Sequence, residues 1–379
     1  MAASHADMNH YWQQPKATSQ QHNWSALEKN MRPEACAQCH ESQFNDWKQS
    51  LHAEAFSPGM VGQFATMDHG SGNDCLRCHA PLETQLFDTA QAMLASLKTL
   101  RKNPIGINQD ADLQSQQADL PLRHSGVSCA VCHVRQGLRF GPPRLGSDVQ
   151  GQIKGDAHGG FIANKRFEQS NFCAECHQFP QSYAINGKPL ENTVMEWQQS
   201  KFSQLGKQCQ SCHMPERRHQ FKGIHDKDFT RQGLDIHTVQ KGEYIALSIT
   251  STNIGHAFPT YVTPLVRIHA MALDVQQQTI KTWHWDLVRE VYYDDGWQEK
   301  RDTRLFPDET RLFMPTDIPE AAIQLHFQIE VKPDHFYQGM YQSLLEDDMQ
   351  QDAQVLIKRA LKTSYQRVYI LYDEVRKLP

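Results

Sequence analysis

The chain has 379 residues, a formal charge of −5 and 39 % hydrophobic residues, with a mean hydropathy of −0.64. That length suits two domains, while the apolar content is low for a protein of this size. Nothing resembles the basic footprint of a nucleic-acid binder, and no apolar run approaches the roughly 18 residues that a membrane-spanning helix needs.

Residues 1–29 are rich in Gln, Ser and His and read as a loosely ordered segment. Met1-Ala2-Ala3-Ser4-His5-Ala6-Asp7 has no apolar signal core, so the sequence reads as a mature form whose leader has been removed. Residues 30–233 mix short helical signals with breakers. Leu86, Met93, Leu94, Leu97 and Leu100 recur at helical spacing, whereas Asn103-Pro104, Gly141-Pro142-Pro143 and Gly159-Gly160 mark loops. From 234 to 335 the period changes to two. Ile245, Leu247 and Ile249 alternate with small or polar residues, as do Ile323, Leu325, Phe327 and Ile329. Val266–Val275 and Thr282–Tyr293 read as two further strands, and Asp294-Asp295-Gly296 as a hairpin turn. Residues 336–379 carry Met340, Leu344, Met349, Ala353, Leu356, Ala360, Tyr365, Val368 and Leu371 in a helical rhythm. This stripe is expected to pack on the body of the protein, with an oligomer contact as the alternative. The expected class is α+β: a mainly helical and irregular domain (30–233), a small β-sandwich-like domain (234–335) and a long C-terminal helix (336–379).

All ten cysteines fall in five copies of Cys-x-x-Cys-His. The copies are Cys36–Cys39–His40, Cys75–Cys78–His79, Cys129–Cys132–His133, Cys173–Cys176–His177 and Cys209–Cys212–His213, spaced 36 to 54 residues apart from His to His. This is the attachment signature of haem c. The two thiols add to the vinyl groups, and the adjacent histidine is carried beneath the iron as proximal ligand. A lone Cys-x-x-Cys would suit zinc or dithiol chemistry equally well. Five pairs, each followed by His and with no cysteine left over, point to five covalently bound haems c (heme c). Five macrocycles would also supply the missing apolar surface. Attachment of this kind resembles a step made after export, which points to a periplasmic or extracellular protein.

Twenty histidines leave fifteen outside the motifs. A six-coordinate iron takes a second axial ligand, usually His or Met. Met60, Met67 and Met214 lie near motifs but suit packing. His52 and His124 are close enough in sequence to a motif to be held beside a macrocycle. His158 (in Asp156-Ala157-His158-Gly159-Gly160), His225 with His219 as its alternative, and His256 (in Gly255-His256-Ala257-Phe258-Pro259-Thr260) complete the distal candidates. His5, His10, His22, His69, His237, His269, His284, His326 and His335 read as structural or exposed.

Residues 30 to about 230 resemble the multihaem cytochromes related to cytochrome c-554. The likeness is carried by Cys36–His40 with its Trp47-x-x-Ser50-x-His52 continuation, by His124 leading into Gly126-Val127-Ser128-Cys129, and by Cys209–Pro215. It implies that His52 pairs with His133 across one iron and His124 with His40 across another. The chain departs from that family in its fifth motif and in having no histidine between His79 and His124. A distal ligand must therefore come from elsewhere, with His158, His219, His225 and His256 the candidates. The relatives have one haem without a distal ligand, and His79, with no obvious partner, is the first choice for it here. The Gly-His-x-Phe-Pro-Thr segment is similar to the C-terminal module of some larger multihaem cytochromes, with Tyr261 where a glycine usually follows. No Cys-x-x-Cys-Lys occurs, so the lysine-ligated site of ammonia-forming nitrite reductases is missing. The leading expectation is an electron carrier with mostly bis-His haems, exchanging electrons with a donor and an acceptor protein. The alternatives are an enzyme acting on a small nitrogen or sulfur oxyspecies at one open haem, and a subunit of a conductive assembly to which His10 or His22 would lend a ligand.

Overall fold

The computed structural model describes residues 24–103, 120–135, 137–155, 157–242 and 244–378. His5, His10 and His22, and most of the expected segment 1–29, lie outside these residues. The chain divides into two compact units, each assembled from separate stretches. One comprises Met1–Cys176, Gln208–Phe221 and Leu344–Ala360; the other comprises His177–Lys207, Lys222–Ser343 and Leu361–Pro379. The boundary expected near residue 233 is therefore crossed twice, because 177–207 and 222–233 group with the β-region.

The first unit is built from short helices and turns. Its longest early helix, Ala90–Lys102, starts where Thr89 accepts a hydrogen bond from Ala92 N at 3.1 Å. Leu86, expected inside that helix, precedes the cap. Met93, Leu97 and Leu100 are buried on one face, and a Cβ on Gly72 would meet Met93 Sδ at 2.3 Å. Phe56, Phe64 and Phe87 form an aromatic knot, with ring centres 5.5 to 6.5 Å apart. A small sheet follows in the order β1-β2-β4-β3, with β1 Val134–Arg135, β2 Leu138–Gly141, β3 Gly151–Ile153 and β4 Phe161–Ala163.

The second unit holds a two-stranded pair, β5 Ala184–Ile185 and β6 Lys188–Pro189, and a sandwich. The sandwich strands are β7 Leu234–Lys241, β8 Tyr244–Ser251, β9 Leu265–Leu273, β10 Thr279–Leu287, β11 Arg289–Tyr293, β12 Trp297–Asp302, β13 Thr310–Phe313, β14 Gln324–Lys332 and β15 Tyr369–Lys377. One sheet runs β13-β8-β7, the other β10-β9-β14-β15, and β11 pairs with β12 through the Asp294-Asp295-Gly296 turn. Ile236, Ile245, Leu247 and Ile249 of the first sheet share a single buried cluster with Val266, Ile268, Leu325, Phe327 and Ile329 of the second. The alternation along β14 holds residue by residue. β8 is buried on both faces, with Ala246 and Ser248 covered as well.

Two expectations are corrected here. Thr282–Tyr293 is not one strand, since Val288 separates β10 from β11 and the chain changes sheet. The tail is not helical to its end. Helices His335–Glu346 and Gln351–Gln366 are followed by β15, which pairs with β14 along its whole length. The spacing of Tyr365, Val368 and Leu371 suits a helix, but Tyr369-Ile370-Leu371-Tyr372 is also β-prone, and an available edge on β14 decides between them.

Phe327 is fully buried between the sheets, so Phe327→Ala should destabilise the second unit by about 3–5 kcal/mol. Denaturant unfolding followed by circular dichroism reads this directly. A loss well below 1 kcal/mol would show that the two sheets do not share a core.

Candidate functional site

The five Cys-x-x-Cys-His turns are helices or helix ends. Cys36 lies in Pro33–Ala37, the second, third and fifth motifs sit in His69–His79, Cys129–His133 and Cys209–His213, and Cys173 directly precedes Ala174–His177. Helical spacing brings residues three and four apart onto one face, so both thiols and the imidazole point the same way. Most of these helices are a single turn and have little stability alone; neighbours hold them. Cys209 N donates to Ser170 Oγ at 3.0 Å and Ser170 N to Gln208 Oε1 at 2.8 Å. Gln210 Nε2 donates to the Phe167 and Gln169 carbonyls at 3.0 and 2.8 Å. The fifth motif is thereby stitched to the segment leading into the fourth.

The third motif is seated on the segment that follows the first. Val127 N donates to His52 O at 2.9 Å and Trp47 Nε1 to Val127 O at 2.8 Å. Gly126 has φ 55°, and a Cβ there would stand 2.5 Å from His52 O. Only glycine fits this crossing. Trp47-x-x-Ser50-x-His52 and Gly126-Val127-Ser128 are thus two halves of one joint.

Thiols of different motifs lie side by side. The thiols of Cys36 and Cys129, of Cys78 and Cys176, and of Cys173 and Cys209 lie near enough to perturb each other's ionisation. The Cys132 thiol is also close enough to act electrostatically on Cys173 and Cys176. These contacts join the first motif to the third, the third to the fourth, and the fourth to both the second and the fifth.

Several histidines have one ring nitrogen committed to a backbone carbonyl. His79 Nδ1 donates to Ala55 O at 2.8 Å, His133 Nδ1 to Phe140 O at 2.8 Å, His219 Nδ1 to Arg217 O at 3.0 Å and His256 Nδ1 to Ala257 O at 3.0 Å. A proton held on Nδ1 leaves the lone pair on Nε2, the tautomer that ligates a metal. His225 and His69 are engaged the other way, through Nε2: His225 to Asp334 Oδ1 at 3.0 Å and His69 to Phe87 O at 2.7 Å. Burial holds His133 and His124 down at about 4, with Arg123 and Arg32 adding to the effect at His124, so both rings are neutral.

Two motif histidines face a second imidazole. The His40 and His158 rings are centred 6.4 Å apart with planes 15° apart, and the His133 and His219 rings 6.1 Å apart at 35°. The facing rings differ from the exchange that the resemblance implies: His158 rather than His124 stands across from His40, and His219 rather than His52 across from His133. His52 instead packs edge-on against Phe221 at 4.4 Å. His158 sits at φ 57°, followed by Gly159 and Gly160 at 63° and 94°. A Cβ on Gly160 would fall 1.8 Å from Ile153 O. His124 is buried, and neither of its ring nitrogens has a hydrogen-bond partner. A buried imidazole with both nitrogens unpaired is costly and calls for a ligand. Neutral rings with free lone pairs are what haem iron requires, and this donor set fits the group.

Sequence reasoning passed over the residues that hold these rings. Glu28 Oε1 accepts from His158 N at 2.6 Å and lies 3.2 Å from His158 Nδ1. The Ser25 amide and hydroxyl, then the His158 amide, hold its carboxyl down at about 2. Ser25-x-x-Glu28 is a capping box, a pattern legible in the sequence. Asp46 accepts from Arg218 Nε at 2.7 Å, Arg218 Nη2 at 2.6 Å and His219 N at 3.1 Å, fixing the backbone on which His219 stands. Phe167 lies 5.1 Å from the His133 ring. No sequence pattern announces either contact. Met60 is buried in Pro58–Gln63, in keeping with packing.

The His256 loop of the second unit is held by buried charge. Ala257 N donates to Glu196 Oε2 at 3.1 Å, Thr260 and Thr193 share a hydroxyl hydrogen bond at 2.6 Å, and Arg304 pairs with Glu196 at 2.9 Å and Asp302 at 2.8 Å. Glu191, beside Thr193, is buried as well. Desolvation, reinforced by the Glu196 charge, pushes its carboxyl up to about 8, which Thr193 and Arg304 do not offset.

Residues 59–226 match the family model described as outer membrane cytochrome MtrC/MtrF-like, domains II/IV. The match takes in the second to fifth motifs. A solved structure, a penta-heme cytochrome c552 from Thermochromatium tepidum, shares the fold with a TM-score of 0.57 at 17 % identity, covering 93 % of this chain and 100 % of the other. No curated protein matches the chain. Among the described residues no helix is long and apolar enough to cross a membrane.

Glu191 carries a pH dependence. Its folded pKa of about 8 lies above the ordinary 4.5, so its contribution is complete below the unfolded value and is lost as pH rises through the folded one. Glu191→Gln stays neutral throughout and should flatten the pH dependence of unfolding across that window. Denaturant midpoints of both proteins on either side of the window test this; equal slopes would rule out a buried, protonated Glu191.

Proposed function

We propose that the chain is a multihaem c-type cytochrome that carries five covalent haems c and relays electrons among them between a donor and an acceptor protein, a reading supported by its motifs and by the comparisons. The continuity of the thiol contacts carries this reading. Cys36 meets Cys129, Cys132 neighbours Cys173 and Cys176, and those two meet Cys209 and Cys78. Every attachment turn thus has another beside it, so the macrocycles would sit as an unbroken set with the fourth at a branch.

Bound haem iron supplies reversible one-electron exchange, and ligand type, burial and hydrogen bonding set its potential. The residues of the chain supply the rest. Five cysteine pairs anchor the macrocycles, and His40, His79, His133, His177 and His213 lie beneath them. His52, His124, His158, His256 and one of His225 and His219 are the distal candidates for mostly bis-His irons. Attachment at Cys-x-x-Cys-His supports an exported, periplasmic or extracellular protein.

The intact mass of the exported protein should exceed the polypeptide by five haems. Stopped-flow reduction should fill all of them in one rapid, connected process, the ferric spectrum should be low-spin and indifferent to nitrite, and the ferrous spectrum should be indifferent to carbon monoxide. Fewer than five macrocycles, or a haem reduced far more slowly than its neighbours, would defeat the relay. A high-spin haem responding to either ligand would instead favour catalysis at the second motif.

A further inference from the structure

Two of the distal ligands follow from ring geometry. An imidazole nitrogen lies about 2.0 Å from a bound first-row metal and about 1 Å in front of its ring centre, so two imidazoles across one iron have centres roughly 6 Å apart. Aromatic rings in direct contact also span about 4.5–7 Å, so what marks these pairs is that both rings are imidazoles and one of each pair belongs to an attachment motif. The separations of His40 from His158 and of His133 from His219, 6.4 and 6.1 Å, are those of two rings with one metal between them.

We propose that His158 is the distal axial ligand of the haem attached at Cys36 and Cys39, and His219 that of the haem attached at Cys129 and Cys132. The proposal rests on the motifs being haem-attachment sites. Each distal ring is held by its own device. His158 is the rarer case, a non-glycine residue at φ 57° inside a turn whose next two residues are left-handed glycines. Strained backbone of this kind persists where surrounding contacts enforce it, and it collects at functional sites. The enforcing contact is Glu28, which takes the His158 amide and stands beside Nδ1. His219 is held by the Asp46–Arg218 clamp and by its own Nδ1 bond to Arg217 O. Glu28 and Asp46 are positioning residues.

The arrangement predicts a difference between the two irons. The Glu28 carboxylate places its negative charge 3.2 Å from His158 Nδ1, which favours ferric iron over ferrous. The haem on the first motif should therefore have the lower potential of the two, and Glu28→Gln should raise that one midpoint while leaving the haem low-spin. The small angle between the His40 and His158 planes should also give that haem an ordinary rhombic low-spin signal.

The test uses the full-length holoprotein, with its haem count verified by mass before each measurement. His158→Gly and His219→Gly should each convert one low-spin ferric haem to high-spin by electron paramagnetic resonance, and the double variant two. Added imidazole should restore the low-spin signal in each. His158→Met and His219→Met, which keep six ligands, guard against a glycine variant that fails to mature: each should raise a single midpoint in a redox titration. An iron-resolved structure of the holoprotein should show Nε2 of both residues bonded to iron. Unchanged low-spin intensity and unchanged midpoints in the His158 and His219 variants would overturn the pairing, as would a holoprotein structure in which His124 ligates the iron attached at Cys36 and Cys39, or His52 the iron attached at Cys129 and Cys132. A full complement of haems alongside that result would leave the attachment sites standing and reject only the ligand assignment.

Discussion

A helix of one turn closes too few hydrogen bonds to repay the fixing of its backbone. Four of the five attachment turns in this protein are helices of four or five residues, so their geometry is set from outside. Ser170 and Gln208 lock the fifth motif to the approach of the fourth, and the Gly126–Val127 crossing locks the third to the segment after the first. The third and fifth turns borrow their positions from the neighbourhood of other motifs, so these motifs cannot be spread apart without loosening. Proximity of these attachment turns is therefore a by-product of how they are stabilised.

The two units solve the core problem differently. The second unit is dry and conventional, with two sheets closing over Leu247, Ile268 and Phe327. Beside that core it buries an ionic cluster in which Arg289 and Arg304 are almost wholly covered. Arg289 Nη2 reaches the Lys188 carbonyl at 2.9 Å and Nε pairs with Glu299 at 2.8 Å, so each donor has a partner. Buried pairs of this kind contribute little net stability against apolar packing but penalise other arrangements heavily. Here they fix the loop carrying His256. The first unit buries Phe56, Phe64, Leu76, Met93, Leu97 and Leu100 among short helices, while the motif histidines His40 and His79 are exposed.

Which histidines keep Nε2 available is decided by the partner of their other nitrogen. His219 and His225 are six residues apart, and the sequence favoured His225 only slightly. In the folded chain His225 spends Nε2 on Asp334, whereas His219 spends Nδ1 on a carbonyl and turns its ring toward His133. No local pattern separates the two, because Asp334 and Asp46 are each more than a hundred residues away along the chain. His158 was legible as a candidate from its Gly-Gly turn. Its partner Glu28 was legible only as a helix cap, and the link between them was not. The strand Tyr369–Lys377 was misread for a similar reason: its residues tolerate both periods, and only the free edge of β14 selects one.

Composition and spacing alone determined the chemistry of this protein, since ten cysteines in five Cys-x-x-Cys-His units leave almost no other use for the thiols. They also determined the change from helical to strand periodicity near residue 234, because burial on one face imposes its period locally. Tertiary structure decided what depends on distant partners: that the units are discontinuous in sequence, that the fourth motif is the meeting point of the second, third and fifth, and that His158 and His219 face His40 and His133. Attachment is written in consecutive residues. Ligand pairing depends on which rings end up about 6 Å apart across a metal, and that distance exists only once the chain has folded.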